Sequence, residues 1–265
     1  MYAFEYRRPA SLADAVALLR ADGDARPLAG GQTLLPTLKQ RLARPTALVD
    51  LSAVAELKGI REEAGGIVVG ACARHAEVAA SDLVKARLPA LADLAAGIGD
   101  RQVRALGTLG GSVANADPAA DYPAAVVALK ATVTTDSRDI PGDAFFTGMF
   151  ETALEPGELV TAVRFQVPDQ AAYAKFRNPA SRYAIVGVFV ARFGAEVRVA
   201  VTGAGPSVFR ASAIEEALAK DFRAEALAAV AVDAGDLNAD IHASAEYRAH
   251  LVTVMARRAV ETCLR

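Results

Sequence analysis

Leu106-Gly107-Thr108-Leu109-Gly110-Gly111-Ser112-Val113-Ala114-Asn115, followed by Asp117-Pro118-Ala119-Ala120-Asp121, is the stretch on which the fold reading turns. Three glycines, two hydroxyls and an amide share one short segment. The spacing is neither GxGxxG nor GxxxxGK[ST], so a Rossmann fingerprint and a P-loop both fail. Asp121 can serve a ribose or an adenine as a hydrogen-bond partner. It can equally cap the helix opened by Pro123, since proline suits a first helical turn.

Working back toward the N-terminus, a second glycine site stands at Leu28-Ala29-Gly30-Gly31-Gln32-Thr33-Leu34-Leu35-Pro36. Two glycines sit between a short strand, Arg26–Ala29, and a helical pattern carried by Leu34, Leu35, Leu38 and Leu42. Glycine turns sharply and lets a ligand approach the backbone without a Cβ in the way. A helix start adds unpaired N–H donors that suit a pyrophosphate. An ordinary tight turn satisfies this segment as well. Two glycine sites in one lobe suggest a large nucleotide gripped from both sides.

Around these sites, Ser11 is the expected N-cap of a helix carrying Leu12, Val16 and Leu19, with Gly23 as its stop. Ala47–Leu51 and Gly66–Ala71 read as strands, and 76–98 as a helical region interrupted by Pro89. From Gly97 to Gly111 the pattern carries little helical signal, and Ser137–Gly148 reads as a loop. Ala131–Thr135, Leu159–Val167, Tyr173–Arg177 and Ala184–Phe193 read as strands, the last joined to Val197–Thr202 in a hairpin. Helical segments near Ser212–Ala219, Ala224–Val232 and Ala245–Leu264 close the chain.

The 265 residues suit two packed lobes. A 53% hydrophobic and 23% charged composition fits a globular protein, and a net charge of −2 with scattered Lys and Arg argues against a nucleic-acid partner. Two cysteines, Cys72 and Cys263, cannot supply the four thiolates of an iron–sulfur cluster. His75, His242 and His250 show no metal spacing, so no metal site and no catalytic acid–base pair are expected. The N-terminus has no apolar signal core and the longest apolar runs are too short to span a bilayer, which points to a cytoplasmic location.

Both glycine segments resemble the two FAD motifs of the flavin subunits of molybdenum hydroxylases, of the carbon monoxide dehydrogenase and xanthine dehydrogenase type. Ala144–Gly148, Glu155–Leu159, Lys175-Phe176-Arg177, Tyr247-Arg248 and Arg257-Arg258 continue the resemblance in order along the whole chain. It implies an α+β fold: a two-subdomain p-cresol methylhydroxylase-type FAD-binding domain over 1–168 and a C-terminal α+β domain over 169–265. It further implies that Leu28, Ala29, Gly30, Gly31, Gln32, Thr33 and Leu34 wrap the FAD pyrophosphate. Thr108, Gly110, Gly111 and Ser112 then form a second clamp, with Ser112 standing where many relatives carry Asn. Asp121 falls near the adenosine half and Ile98 at an apolar FAD contact, while Leu159 and Lys175 align with residues near the flavin ring. Tyr183 is placed to cover that ring, or serves as a core or interface tyrosine. The implied cofactor is noncovalent FAD. The implied partners are a two-cluster [2Fe–2S] small subunit and a molybdopterin large subunit, assembled as a dimer of heterotrimers with electrons leaving to an NAD- or quinone-type acceptor. The alternative is a free-standing FAD-dependent oxidase of the same fold.

Overall fold

The computed structural model describes residues 1–265. The N-terminal part folds around two sheets. Glu5–Arg7, Ala47–Asp50 and Arg26–Leu28 form a small sheet in that spatial order, with all pairings parallel. The helix Leu12–Ala21 covers it, burying Ala15, Val16 and Leu19. Ser11 caps this helix as expected, its hydroxyl accepting from the Asp14 N–H at 3.1 Å. The expected glycine stop is not used: the chain leaves the helix at Asp22 in an extended conformation, and Gly23 has no positive φ.

The second sheet is antiparallel, in the order Ile60–Glu63, Gly66–Gly70, Val160–Gln166, Thr132–Thr135 and Asp139–Pro141. Helices pack over it, and the largest core gathers Ile67, Val69, Leu91, Leu94, Val113, Tyr122, Val163 and Phe165. Every residue of the helix Tyr122–Ala128 is buried.

The third sheet belongs to the C-terminal part and runs Gln170–Arg177, Ala184–Phe193, Glu196–Thr202 and Phe209–Arg210, all antiparallel. Its central strand is a nearly unbroken apolar run because both faces are covered. Phe189 and Ala191 face the core of the second sheet. Val186, Val188 and Val190 face the helix Ala245–Cys263 through Leu251, Val252, Met255 and Ala259.

Four segments depart from the sequence reading. Gly97–Gly111 contains a helix, Arg101–Leu106, capped by Asp100, and leads into a second, Leu109–Asn115, capped by Thr108. Glycine weakens helix propensity, but side-chain caps and burial of Leu109 and Val113 outweigh it. The region 76–98 is broken into three helices, His75–Ala80, Asp82–Arg87 and Pro89–Ala96. The expected loop Ser137–Gly148 contains the edge strand Asp139–Pro141 and a helical turn, Gly142–Phe145. Only Ala224–Leu227 of the segment 224–232 is helical, as one 3-10 turn. No helix is long and apolar enough to cross a membrane.

Candidate cofactor site

A cavity of about 740 Å³ opens between the small parallel sheet, the antiparallel sheet and the loop that joins the first two strands of the C-terminal sheet. Its size suits an organic cofactor. Both glycine segments line it: Ala29–Leu34 from one side, and Gly107, Thr108 and Gly110–Ser112 from the other.

The two segments touch. A Cβ on Gly30 would sit 2.1 Å from the Leu106 carbonyl oxygen and 2.7 Å from Gly107 Cα, so the close approach requires glycine there. Gly31 adopts φ +68°, a left-handed conformation that turns the chain into the helix Leu34–Lys39. The backbone N–H groups of Gly30, Gly31, Gln32, Thr33 and Leu34 find no acceptor within the chain. Consecutive unpaired donors beside a cavity form an anion cradle, of the kind that suits a pyrophosphate.

The second segment is built differently. The Leu109 N–H donates to the Ala73 carbonyl at 3.0 Å and that of Gly110 to the Ala71 carbonyl at 2.9 Å. The Gly111 N–H donates to Thr108 Oγ1 at 3.2 Å, and that of Ser112 to the Thr108 carbonyl at 3.1 Å. These donors are already committed, so this side contributes a bare, closely approachable backbone and the Thr108 and Ser112 hydroxyls rather than a second row of free N–H groups.

Asp121 lines the cavity and is buried, but does not cap the following helix. Its carboxylate accepts from Tyr173 Oη at 2.5 Å and from Lys175 Nζ at 2.9 Å. Burial pushes this carboxyl above its ordinary range, opposed chiefly by Lys175 and Tyr173. Lys175 is therefore not in the cavity wall; it lies behind Asp121, also donating to the Gly97 carbonyl at 3.0 Å. Leu28 is likewise outside the wall, its side chain packed beneath Gly31. Ile98, Leu159 and Tyr183 all line the cavity. Tyr183 is 47% exposed, leaving its ring available at the rim. It stands on a tight turn in which Asn178 Oδ1 accepts from the Ala180 and Ser181 N–H groups.

The wall also contains residues to which the sequence reading gave no site role, including Cys72, His75 and Glu158. Their types are ordinary and their spacing irregular, so only the fold brings them together. Glu158 holds the loop before Leu159, accepting from Arg138 Nε and Nη2, both at 2.9 Å, and from Thr135 Oγ1 at 2.7 Å. The Arg138 hydrogen bonds lead in pulling its carboxyl down to about 2. A depressed carboxyl contributes stability above its ordinary value of 4.5 and loses it as pH falls toward about 2. Glu158→Gln is expected to lower Tm by several degrees at pH 7 and to flatten the acid limb of the Tm–pH curve across that window. An unchanged acid limb would show that Glu158 carries no linked stability.

Known proteins share this fold over essentially the whole chain. Residues 2–169 match the family described as the FAD binding domain in molybdopterin dehydrogenase, and residues 171–263 the CO dehydrogenase flavoprotein C-terminal domain. The chain is 39% identical to the carbon monoxide dehydrogenase medium chain of Afipia carboxidovorans, covering 97% of this chain and 96% of that one. It is 35% identical to the glyceraldehyde dehydrogenase medium chain of Sulfolobus acidocaldarius, over 80% of each chain. Reconstituted CO dehydrogenase from Oligotropha carboxidovorans superposes with a TM-score of 0.89 at 36% identity, covering 99% of this chain and 98% of that one. Quinoline 2-oxidoreductase from Pseudomonas putida 86 superposes with a TM-score of 0.90 at 32% identity, covering 99% and 97%. The chain belongs to the family of FAD-binding medium subunits of the molybdenum hydroxylases, and its cofactor is FAD.

Proposed function

We propose that this chain is the electron-transfer module of a three-subunit molybdenum-containing dehydrogenase. It receives electrons from the [2Fe–2S] clusters of a small subunit, fed by a molybdopterin large subunit, and passes them to an NAD- or quinone-type acceptor. The observation that carries the reading is the convergence of both glycine segments on one cavity that has a row of free N–H donors and holds no cluster of metal-ligating side chains. Bound FAD supplies the exchange between single-electron donors and a two-electron acceptor. The chain's own contribution is to cradle the pyrophosphate at Gly30–Leu34, admit the cofactor closely at Gly110–Gly111, and set the ring near Leu159 and Tyr183. The proposed division lies at residues 168/169, and the complex is a dimer of heterotrimers located in the cytoplasm.

The exposed residues 179–183 of the turn that carries Tyr183 are the surface proposed to meet the iron–sulfur partner. Lys175 is too deeply buried to belong to it. Attachment of FAD is noncovalent in this reading. Cys72 faces the cavity, but burial pushes its thiol up to about 11, so it is not a thiolate at neutral pH. Acid precipitation is expected to leave the flavin in the supernatant, and flavin in the pellet would contradict this. The function is tested by affinity purification of the tagged chain from its native source, with iron, molybdenum and flavin measured in the eluate. Recovery with an iron–sulfur and a molybdenum protein supports the proposal. Recovery of the chain alone, turning over a small substrate steadily, would replace it with a free-standing oxidase.

A further inference from the structure

His75 stands in the cavity wall, 4% exposed, yet its side chain makes no hydrogen bond in the chain, and Nδ1 is sealed from solvent. Buried polar atoms are normally satisfied, and an exception calls for a partner. Beside it, Tyr122 is fully buried with its hydroxyl also unpartnered, and the two ring centroids are 5.4 Å apart. A phenol hydroxyl donates and an imidazole nitrogen without a proton accepts. They do not bond to each other, which leaves Nε2 as the imidazole nitrogen that can meet a partner at the wall.

Nε2 lies against the second glycine segment. A Cβ on Gly107 would sit 2.7 Å from it, and the backbone N–H of His75 donates to the Gly107 carbonyl at 2.9 Å. Gly107 is also the residue that Gly30 approaches, so His75, Gly107 and Gly30 meet at one point of the wall, beside the free N–H groups. Burial, assisted by the nearby Arg104, pushes the imidazole down to about 4, so the ring is neutral at physiological pH with one donor and one acceptor.

We propose that His75 is a further FAD-binding residue that donates from Nε2 to the pyrophosphate beside Gly107. Tyr122 packs against the imidazole without a hydrogen bond to it. The inference rests on the placement of the pyrophosphate at Gly30–Leu34.

The test measures Kd for FAD and for ADP on the flavin-stripped full chain, with circular dichroism and thermal unfolding of each variant as the fold control. His75→Leu is expected to weaken both ligands about tenfold or more, the loss of one hydrogen bond to a charged group. His75→Gln, whose amide nitrogen can occupy the Nε2 position, is expected to bind both within about threefold of wild type, and AMP, which lacks the pyrophosphate, is expected to lose less than about threefold in either variant. Wild-type FAD affinity in a folded His75→Leu chain would overturn the proposal, as would a His75→Gln loss as large as that of His75→Leu. Failure of the wild-type chain to bind ADP would instead displace the pyrophosphate site itself.

Discussion

Gly111→Val is expected to yield a folded chain that has lost most of its flavin, whereas Gly110→Val is expected to yield little folded chain at all. The two neighbours differ in what surrounds them. A Cβ on Gly111 would meet only Thr108 Oγ1 at 2.8 Å and Ala29 Cβ at 4.0 Å, because that side of the residue opens into the cavity. Displacing the Thr108 hydroxyl sacrifices one helix cap, about 1 kcal/mol. The two methyls of valine then occupy space the cofactor needs, and bound flavin is expected to fall at least about tenfold. A Cβ on Gly110 would instead meet Ala71 Cα at 2.7 Å and the Ala71 carbonyl oxygen at 2.8 Å. Ala71 follows directly on a central sheet strand, and the Gly110 N–H is bonded to that same carbonyl, so backbone must move. Overpacking costs about 1–3 kcal/mol where side chains can give way, and more where a sheet must shift. Flavin absorbance and soluble yield, measured together, separate the outcomes. Normal flavin in Gly111→Val would mean that the second segment does not touch the cofactor.

Lys175→Met is expected to destabilise the chain by about 3–5 kcal/mol at neutral pH, the usual consequence of stranding one member of a buried ion pair. Lys175 and Asp121 are 3% and 5% exposed in their side chains and 2.9 Å apart, and they join the C-terminal sheet to the floor of the cavity. Without the ammonium, the Asp121 carboxyl, already raised by burial, rises further. A carboxyl raised in the folded state opposes folding wherever the unfolded chain is ionised, so the variant is expected to regain stability as pH falls through the raised value. Adding Asp121→Asn removes the stranded charge and is expected to recover much of the loss, with Tyr173 still able to donate. Urea unfolding of the single and double variants at pH 5 and pH 8 distinguishes this account. Equal losses at both pH values would show that Lys175 acts by packing alone.

Much of the cofactor site is legible in the residues themselves. Both glycine segments stand out because glycine is needed wherever backbone turns through a positive φ, as at Gly31, or meets other backbone, as at Gly30 and Gly110. The apolar run of Ala184–Phe193 announces a strand covered on both faces, and Ser11 announces a helix start, because these signals act over one or two turns of chain. By itself the sequence therefore determined these local elements, though not the short helices Arg101–Leu106 and Leu109–Asn115, and marked the two glycine segments that the fold brings to one cavity. The tertiary structure decided which donors remain free. The N–H groups of Leu109 and Gly110 are consumed by Ala73 and Ala71, while those of Gly30–Leu34 are left open. It also decided that Lys175 serves Asp121 rather than the cavity, and that His75 and Tyr122 share one buried corner. These outcomes depend on partners brought together by sheet packing from distant parts of the chain, and neither hydrogen-bond satisfaction nor desolvation is defined until that packing exists.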